Sequence, residues 1–347
     1  MDSFISRSSR WLPVRAMMLL ATAAAIWAVC ILYAVKFNPG IQYNLQGAEI
    51  KNRWADRMTR EHGPKILVFG GSSCAFSIDG ERMLDRFGLP TVNYGRGAGM
   101  GAAILTESVL EHVRPGDTLI VALEPGLLTD PLDQLSEGVQ FSFAMHHPDW
   151  VLHPVLGVGR ANWFEALNTL RPGGEHVFTL LGKLAGHKPL MRYSAADFRP
   201  SGFEQTAVRV NISGPPGHGP GLSPDAVELL RNLRAWCDRR NVRVAYSLPW
   251  AYAPPEEERA FQRSNIRILL DIGQFLPVLK DANLGANTNL DFFADTAWHL
   301  TQPGSEARTD RLGEEIKNWS LWTPETLRAR DSELAQPEPP APSGADR

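Results

Sequence analysis

Short apolar runs alternate with helical patterns along most of the chain, and together they predict an α/β fold with a central parallel sheet. The runs lie at residues 65–69, 90–94, 118–123, 242–248 and 275–280. Continuous apolar runs of this length are typical of strands that helices cover on both faces. We therefore expect a sheet buried between two helical layers.

The helical patterns are clearest in the C-terminal half. Ser223, Pro224 and Asp225 combine an N-cap with a proline at the first helical position, and apolar residues then recur at helical spacing. A second helix is expected from Pro303 to about Trp319. Residues 131–220 interrupt the alternation, and we interpret them as an insertion or cap within an α/β domain that spans residues 65–330. The proline-rich residues 331–347 are predicted to be a disordered tail.

The N-terminal part contains an uncharged apolar stretch at residues 16–35. Twenty helical residues span about 30 Å, which is the hydrocarbon thickness of a bilayer. Arg7, Arg10 and Arg15 precede the stretch and only Lys36 follows closely, so the positive-inside rule favours a cytoplasmic N-terminus at residues 1–15. We expect a single-pass membrane anchor, a linker at residues 36–64, and a main domain outside the cytoplasm. A cleaved signal peptide and a buried core helix are the alternatives.

Composition and charge narrow the class of protein. The chain has 347 residues, 44% of them hydrophobic, which supports a sizeable core. Its net charge of -3 comes from interspersed signs, so nothing indicates nucleic-acid binding. Three cysteines cannot form a disulfide framework, and free thiols are expected.

The first predicted strand ends in an unusual corner, in the sequence KILVFGGSSCAFSIDG at residues 65–80. Ser72 would stand on a tight turn between strand and helix, with its hydroxyl exposed at the sheet edge where such folds bind ligands. Ser73 and Cys74 are alternative nucleophiles. A glycine turn followed by a serine N-cap is the structural alternative.

Two further stretches carry candidate chemistry. VNYGRGAGMGA at residues 92–102 follows the second strand, and its glycines would leave backbone amides free to bind an anion. FFADTAWHLTQPGSEART at residues 292–309 contains Asp295 and His299, which could act as a base with its orienting carboxylate. Together the three stretches would supply a nucleophile, oxyanion donors and a base at one edge of the sheet.

FGGSSCAFSID, VNYGRGAGMGA and DTAWHLTQPG resemble blocks one, two and five of the SGNH (GDSL-type) hydrolases. The likeness is nearest to a divergent membrane-anchored bacterial branch, similar to proteins of cell-surface polysaccharide O-acetylation and teichoic acid D-alanylation. It covers roughly residues 65–125 and 240–320. The resemblance implies a flavodoxin-like α/β/α sandwich and a serine esterase or O-acyltransferase, acting without cofactor or metal on acyl esters of a cell-envelope glycan.

The same resemblance assigns roles to individual residues. Ser72 would be the nucleophile, His299 the general base and Asp295 its orienting partner. The Ser72 amide with Gly97 or Gly99 would form the oxyanion hole. The implied partners are the bilayer around residues 16–35, a glycan or acylated small molecule, and other membrane proteins of an envelope polysaccharide pathway.

Three departures from the family pattern affect this interpretation. The Gly-Asp-Ser of the family becomes Gly70-Gly71-Ser72, and the asparagine expected from block three is replaced by Glu124. An ionised carboxylate cannot donate to an oxyanion, and losing one donor can cost ~10²–10³ in rate. Arg96 or Asn93 could serve instead. Asp295 also lies four residues before His299, where three is the common spacing.

Two other functions are open. One is an SGNH-like domain with little or no activity that binds a glycan or scaffolds a polysaccharide export complex. The other is dinucleotide binding, because residues 97–102 satisfy G-x-G-x-x-A and Glu124 follows about twenty residues later. Glu124, Arg96, Trp250 and Trp298 are further candidates for substrate contacts, and Trp250 is also a candidate for core packing.

Overall fold

The structure is a computed structural model that describes residues 12–130, 136–171, 174–205, 211–212, 214–215 and 217–336. Residues 1–11 of the expected cytoplasmic segment and residues 337–347 of the expected tail lie outside these ranges. The strands are β1 (Ile66–Gly70), β2 (Thr91–Asn93), β3 (Thr118–Ala122), β4 (Arg243–Tyr246), β5 (Ala251–Tyr252), β6 (Val278–Leu279), β7 (Ala286–Asn287) and β8 (Leu321–Trp322).

The α-helices outnumber the strands and surround the sheet. They are α1 (Leu12–Lys36), α2 (Pro39–His62), α3 (Ser72–Ala75), α4 (Gly80–Phe87), α5 (Gly101–Leu110), α6 (Gly126–Thr129), α7 (Ser136–Ala144), α8 (Asp149–Leu152), α9 (Trp163–Thr169), α10 (Gly174–Ala185), α11 (Pro224–Arg239), α12 (Glu258–Ile272), α13 (Gln302–Asn318) and α14 (Pro324–Ala335).

The central sheet is mostly parallel, as the apolar runs predict. In the described residues its strand order is β2-β1-β3-β4-β6-β8, and only β8 runs antiparallel to its neighbour. All five predicted strands are present: β1 has the predicted length but lies one residue later, and β2, β3, β4 and β6 are shorter than predicted. The edge strand β8 and the separate pair of β5 and β7 were not predicted.

The predicted linker at residues 36–64 is wrong for most of its length, because α2 occupies it. The side chain of Asn38 caps this helix by accepting from the Gly40 amide, and Pro39 follows the cap. Trp54 Nε1 donates to the carbonyl of Thr91 at 2.9 Å, which attaches α2 to the edge strand β2. The helix is therefore part of the domain.

The predicted disordered tail is also wrong at its beginning, because α14 continues to Ala335. Leu327 and Leu334 are buried on this helix and belong to the main hydrophobic core. The N-cap Thr323 accepts from the Thr326 amide. The prolines of the predicted tail begin at position 337, outside the described residues.

Helix α1 is a candidate membrane span by length and composition. An 18-residue window within the helical stretch Pro13–His62 has a mean hydropathy of 2.3 and is almost wholly exposed. Near its C-terminal end Ile31 and Val35 pack against the core of the domain. Helix α1 thus begins as an isolated apolar helix and ends in contact with the domain.

Helix α2 also carries a buried cation. Lys51 is 1% exposed, and its Nζ donates to the carbonyls of Gly95 and Gly202 at 2.8 and 2.7 Å. Gly95 follows β2, whereas Gly202 lies at the end of the insertion. One ammonium group therefore joins three separate segments at the carboxyl edge of the sheet.

We expect Lys51→Met to lower the free energy of unfolding by about 2–4 kcal/mol, because two buried carbonyls lose a charged donor. The thermal unfolding midpoint in detergent measures this loss. Arg53→Ala, an exposed position on the same helix, should change the midpoint little. Equal midpoints for the Lys51 variant and the wild type would contradict the structural role.

Glu315 on α13 is buried, and its carboxylate lies 3.6 Å from the Arg308 guanidinium. Burial raises the pKa of Glu315 to about 7, although Arg308 acts in the opposite direction. The folded state therefore holds this proton more tightly than the unfolded chain. Its stabilising contribution is complete below the ordinary pKa near 4.5 and is lost as pH rises through about 7.

Glu315→Gln should remove this contribution to the pH dependence. Between pH 5 and pH 8 the wild type should lose more stability than the variant, and urea unfolding at both pH values measures the difference. Parallel losses in the two proteins would show that Glu315 does not titrate in this window.

Candidate functional site

The turn after β1 exposes one serine and buries its neighbours. β1 ends at Gly70, Gly71 stands at the N-cap, and Ser72 is the first residue of α3. Ser72 is partly exposed, whereas Ser73 and Cys74 are each 1% exposed. Burial also raises the pKa of the Cys74 thiol to about 12. Ser72 is therefore the accessible nucleophile among the three candidates.

Glu124 follows β3 and reaches the same turn. Its carboxylate accepts from the amides of Gly71 at 3.1 Å and Ser73 at 2.9 Å. A Cβ added at Gly71 would overlap this carboxylate, so the glycine leaves room for it in the turn. Burial raises the pKa of Glu124, and the amide hydrogen bonds oppose the shift. Two of the three amides in the turn are thus already bound by a side chain.

The glycine-rich stretch after β2 lies against this turn. A Cβ at Gly95 would overlap the backbone of Ala75, so only glycine permits the approach. Asn93 is fully buried, and its Nδ2 donates to the carbonyls of Cys74, Ala75 and Ile78 at 2.9, 3.2 and 2.8 Å. These bonds commit the Asn93 amide to holding the chain after Ser72, and they leave it no proton for an oxyanion.

A second carboxylate stands beside Gly97 and Gly99. A Cβ at Gly99 would overlap the Glu137 carboxylate, and one at Gly97 would lie 3.4 Å from it. Asn44 Nδ2 donates to Glu137 at 3.2 Å, while burial raises the pKa of this acid. Glu137 was not singled out by the sequence analysis, because its segment carries no motif.

Asp295 and His299 form the expected pair, with 2.8 Å between Asp295 Oδ1 and His299 Nδ1. The imidazole stacks on Phe76, with ring centroids 4.3 Å apart. The Phe76 amide donates to the carbonyl of Ser72, one turn earlier. The His299 segment is therefore packed against the chain that follows Ser72. Ser72 Oγ and His299 Nε2 hydrogen-bond to none of the described residues.

The insertion contributes directly to this pair, which the sequence analysis missed. Tyr193 donates its hydroxyl to Asp295 Oδ2 at 2.5 Å and lies 3.2 Å from His299 Nδ1, and Arg192 Nη1 lies 3.0 Å from the same carboxylate oxygen. Burial alone would raise the pKa of Asp295, but these donors and His299 lower it to about 2. Asp295 is therefore an ionised partner for the imidazole.

A buried acid from the insertion lies behind the pair. Glu204 is 4% exposed and accepts from the Tyr43 hydroxyl at 2.5 Å. Burial raises the pKa of Glu204, and Lys51 is the nearest opposing charge. The Tyr43 ring packs near that of Tyr193. Helix α2 and the insertion are thus linked to the histidine through Tyr43 and Tyr193.

The remaining candidate contacts lie within packed regions. Arg96 is buried with its guanidinium 4.8 Å from the Phe141 ring centroid, and burial lowers its pKa to about 10. Trp250 is buried and donates to Asp281 at 3.1 Å. Trp298 packs against a small cluster that includes Phe261. None of these three side chains adjoins Ser72 through a described contact.

The position of Glu124 argues against dinucleotide binding. Glu124 would have to bind a ribose, but its carboxylate is buried against the serine turn. The segment 98–100 forms a short 3-10 helix beside Glu137 before α5 begins. A carboxylate at this position would repel a pyrophosphate.

No family model, curated protein or solved structure matches the chain significantly. The resemblance to SGNH hydrolases therefore stays a prediction based on three motifs, as do the roles assigned to individual residues.

Tyr193→Phe tests whether the insertion controls the electrostatics of the pair. Removing the hydroxyl takes one donor from Asp295, so we expect the pKa of this carboxyl to rise above about 2. NMR titration of ¹³C-labelled aspartate measures it. Tyr252→Phe, which removes a hydroxyl that bonds to no described residue, should leave the Asp295 signal unchanged. An unaltered titration in the Tyr193 variant would exclude the hydrogen bond.

Proposed function

We propose that this protein is a membrane-anchored, extracytoplasmic serine esterase or O-acyltransferase of the SGNH type. One observation carries the proposal: the ionised Asp295 and His299 pair packs through Phe76 against the turn that exposes Ser72. A nucleophile, a base and an orienting acid are the parts that acyl transfer requires. The strand order β2-β1-β3-β4-β6 also suits a flavodoxin-like sandwich, with the site at the point where the order reverses.

The reaction would proceed in two steps. His299 Nε2 takes the proton of Ser72 as Oγ attacks the ester carbonyl, and the alcohol leaves with that proton. Water or a sugar hydroxyl then attacks the acyl-serine, and the Ser72 proton is restored through His299. The Ser72 amide bonds to none of the described residues, so it is free to donate to the oxyanion, unlike its two neighbours.

The proposed substrates are acyl esters, acetyl esters in particular, of a cell-envelope glycan. This part rests on the resemblance of the motifs and on the apolar helix α1. The charge bias around α1 supports a cytoplasmic position for residues 1–15 and a periplasmic or extracellular position for the domain.

Hydrolysis of p-nitrophenyl acetate by the purified full chain tests the catalytic proposal. Ser72→Ala and His299→Ala should each lower kcat/KM by ~10⁴-fold or more, since each removes an essential step. Ser73→Ala is the matched control and should retain activity, because that hydroxyl is buried. A fluorophosphonate probe should label Ser72 in the wild type. Equal rates in all four proteins would refute catalysis at this site.

A second candidate function is glycan binding or scaffolding without catalysis. The observation that favours it is the pair of buried carboxylates, Glu124 and Glu137, which face the two backbone turns expected to stabilise an oxyanion. In this case the fluorophosphonate probe should not label the protein, while glycan fragments should bind it. Isothermal titration with acetylated and deacetylated fragments distinguishes the two functions.

A further inference from the structure

Helix α10 is amphipathic, and it is the apolar side of the helix that is exposed. His176, Thr179 and Lys183 lie on the side that lines a cavity of about 420 Å³, together with Glu137 of α7. Leu180 also lines this cavity, whereas the opposite side carries four exposed apolar residues: Val177, Phe178, Leu181 and Leu184. Phe178 is 77% exposed. A helix in water normally buries its apolar side. An apolar side left exposed therefore indicates a surface that contacts a membrane or a partner.

Helix α9 extends the same surface. Trp163, Phe164 and Leu167 are exposed, and Phe164 reaches 74%. Glu165, between them, bonds back to the amide of Asn162 as part of a capping box. We call α9 and α10 together the apolar helix pair. Its outer side combines two aromatic rings from α9 with one from α10, a composition typical of segments at a membrane surface.

The apolar helix pair lies beside α1. Trp27 Nε1 donates to the carbonyl of Leu167 at 3.3 Å, and the Tyr33 hydroxyl is 3.2 Å from His176 Nε2. Trp27 lies nine residues before Lys36, which is about 14 Å along the helix axis. Helix α9 thus adjoins α1 within the apolar stretch, and α10 adjoins it near the stretch's end. The surface is continuous with the candidate membrane span.

We propose that the apolar helix pair inserts into the outer leaflet of the bilayer beside α1. Beside Trp27, α9 would lie within the acyl region, whereas α10, beside Tyr33, would lie nearer the interface with its cavity-lining side turned toward the protein. Lipid is the occupant that the continuity with α1 selects. The inference rests on the membrane anchoring in the proposed function and not on the catalytic part.

The test uses the full chain in lipid vesicles, in a Cys30→Ala background where Cys74 and Cys237 remain buried. Single cysteines at Leu181 and at Phe178 carry a bimane fluorophore, and quenching by nitroxide-labelled lipids reports contact with acyl chains. Leu20→Cys on α1 monitors the anchor. Glu228→Cys on α11, an exposed position outside the helix pair, is the negative control.

We expect at least threefold quenching at residues 20, 178 and 181 and little at 228. Quenching at 20 without quenching at 178 and 181 would overturn the insertion of the helix pair and leave the anchor intact. No quenching at 20 would overturn both, and esterase activity of the same samples would still report on the catalytic site. Labels at 178 and 181 that are shielded from aqueous quenchers but unquenched by lipid would indicate protein contacts, which also contradicts the proposal.

Discussion

The carboxylate of Glu124 determines the shape of the candidate site. Glu124 follows β3, and its carboxylate accepts hydrogen bonds from the two amides on either side of Ser72, at the end of β1. A buried carboxylate without donors would be costly, and a turn with unbound amides would be loose. Each therefore stabilises the other. The resulting turn is tight enough to bury Ser73 and Cys74 while Ser72 remains accessible.

This contact joins the two positions, 71 and 124, at which the motifs differ from the SGNH pattern that they resemble. A side chain at position 71 would overlap the Glu124 carboxylate where it now lies, so the glycine at 71 gives this carboxylate its place in the turn. The carboxyl group of Glu124 therefore lies in the turn where the family motif would have an aspartate.

The sequence predicts the sheet better than it predicts the site's surroundings. Continuous apolar runs reveal buried parallel strands, and the cap at Ser223 reveals its helix, because these signals are local. Tyr193 and Arg192 contact Asp295 across about a hundred residues, and no periodicity marks such contacts. The short β8 carries too few residues for a pattern. Helix α2 escaped prediction because its charged side obscures the buried residues that pack against β2.

The junction between α1 and α2 has a mechanical consequence. Only Phe37 and Asn38 separate the helices, and both amides bond to the carbonyl of Tyr33. A domain joined to its anchor by two residues has far less freedom of movement than a domain on a long flexible linker. If α1 crosses a bilayer, Ser72 travels at nearly constant height above it. Under the proposed function, a glycan ester would then have to reach that height above the bilayer to meet Ser72.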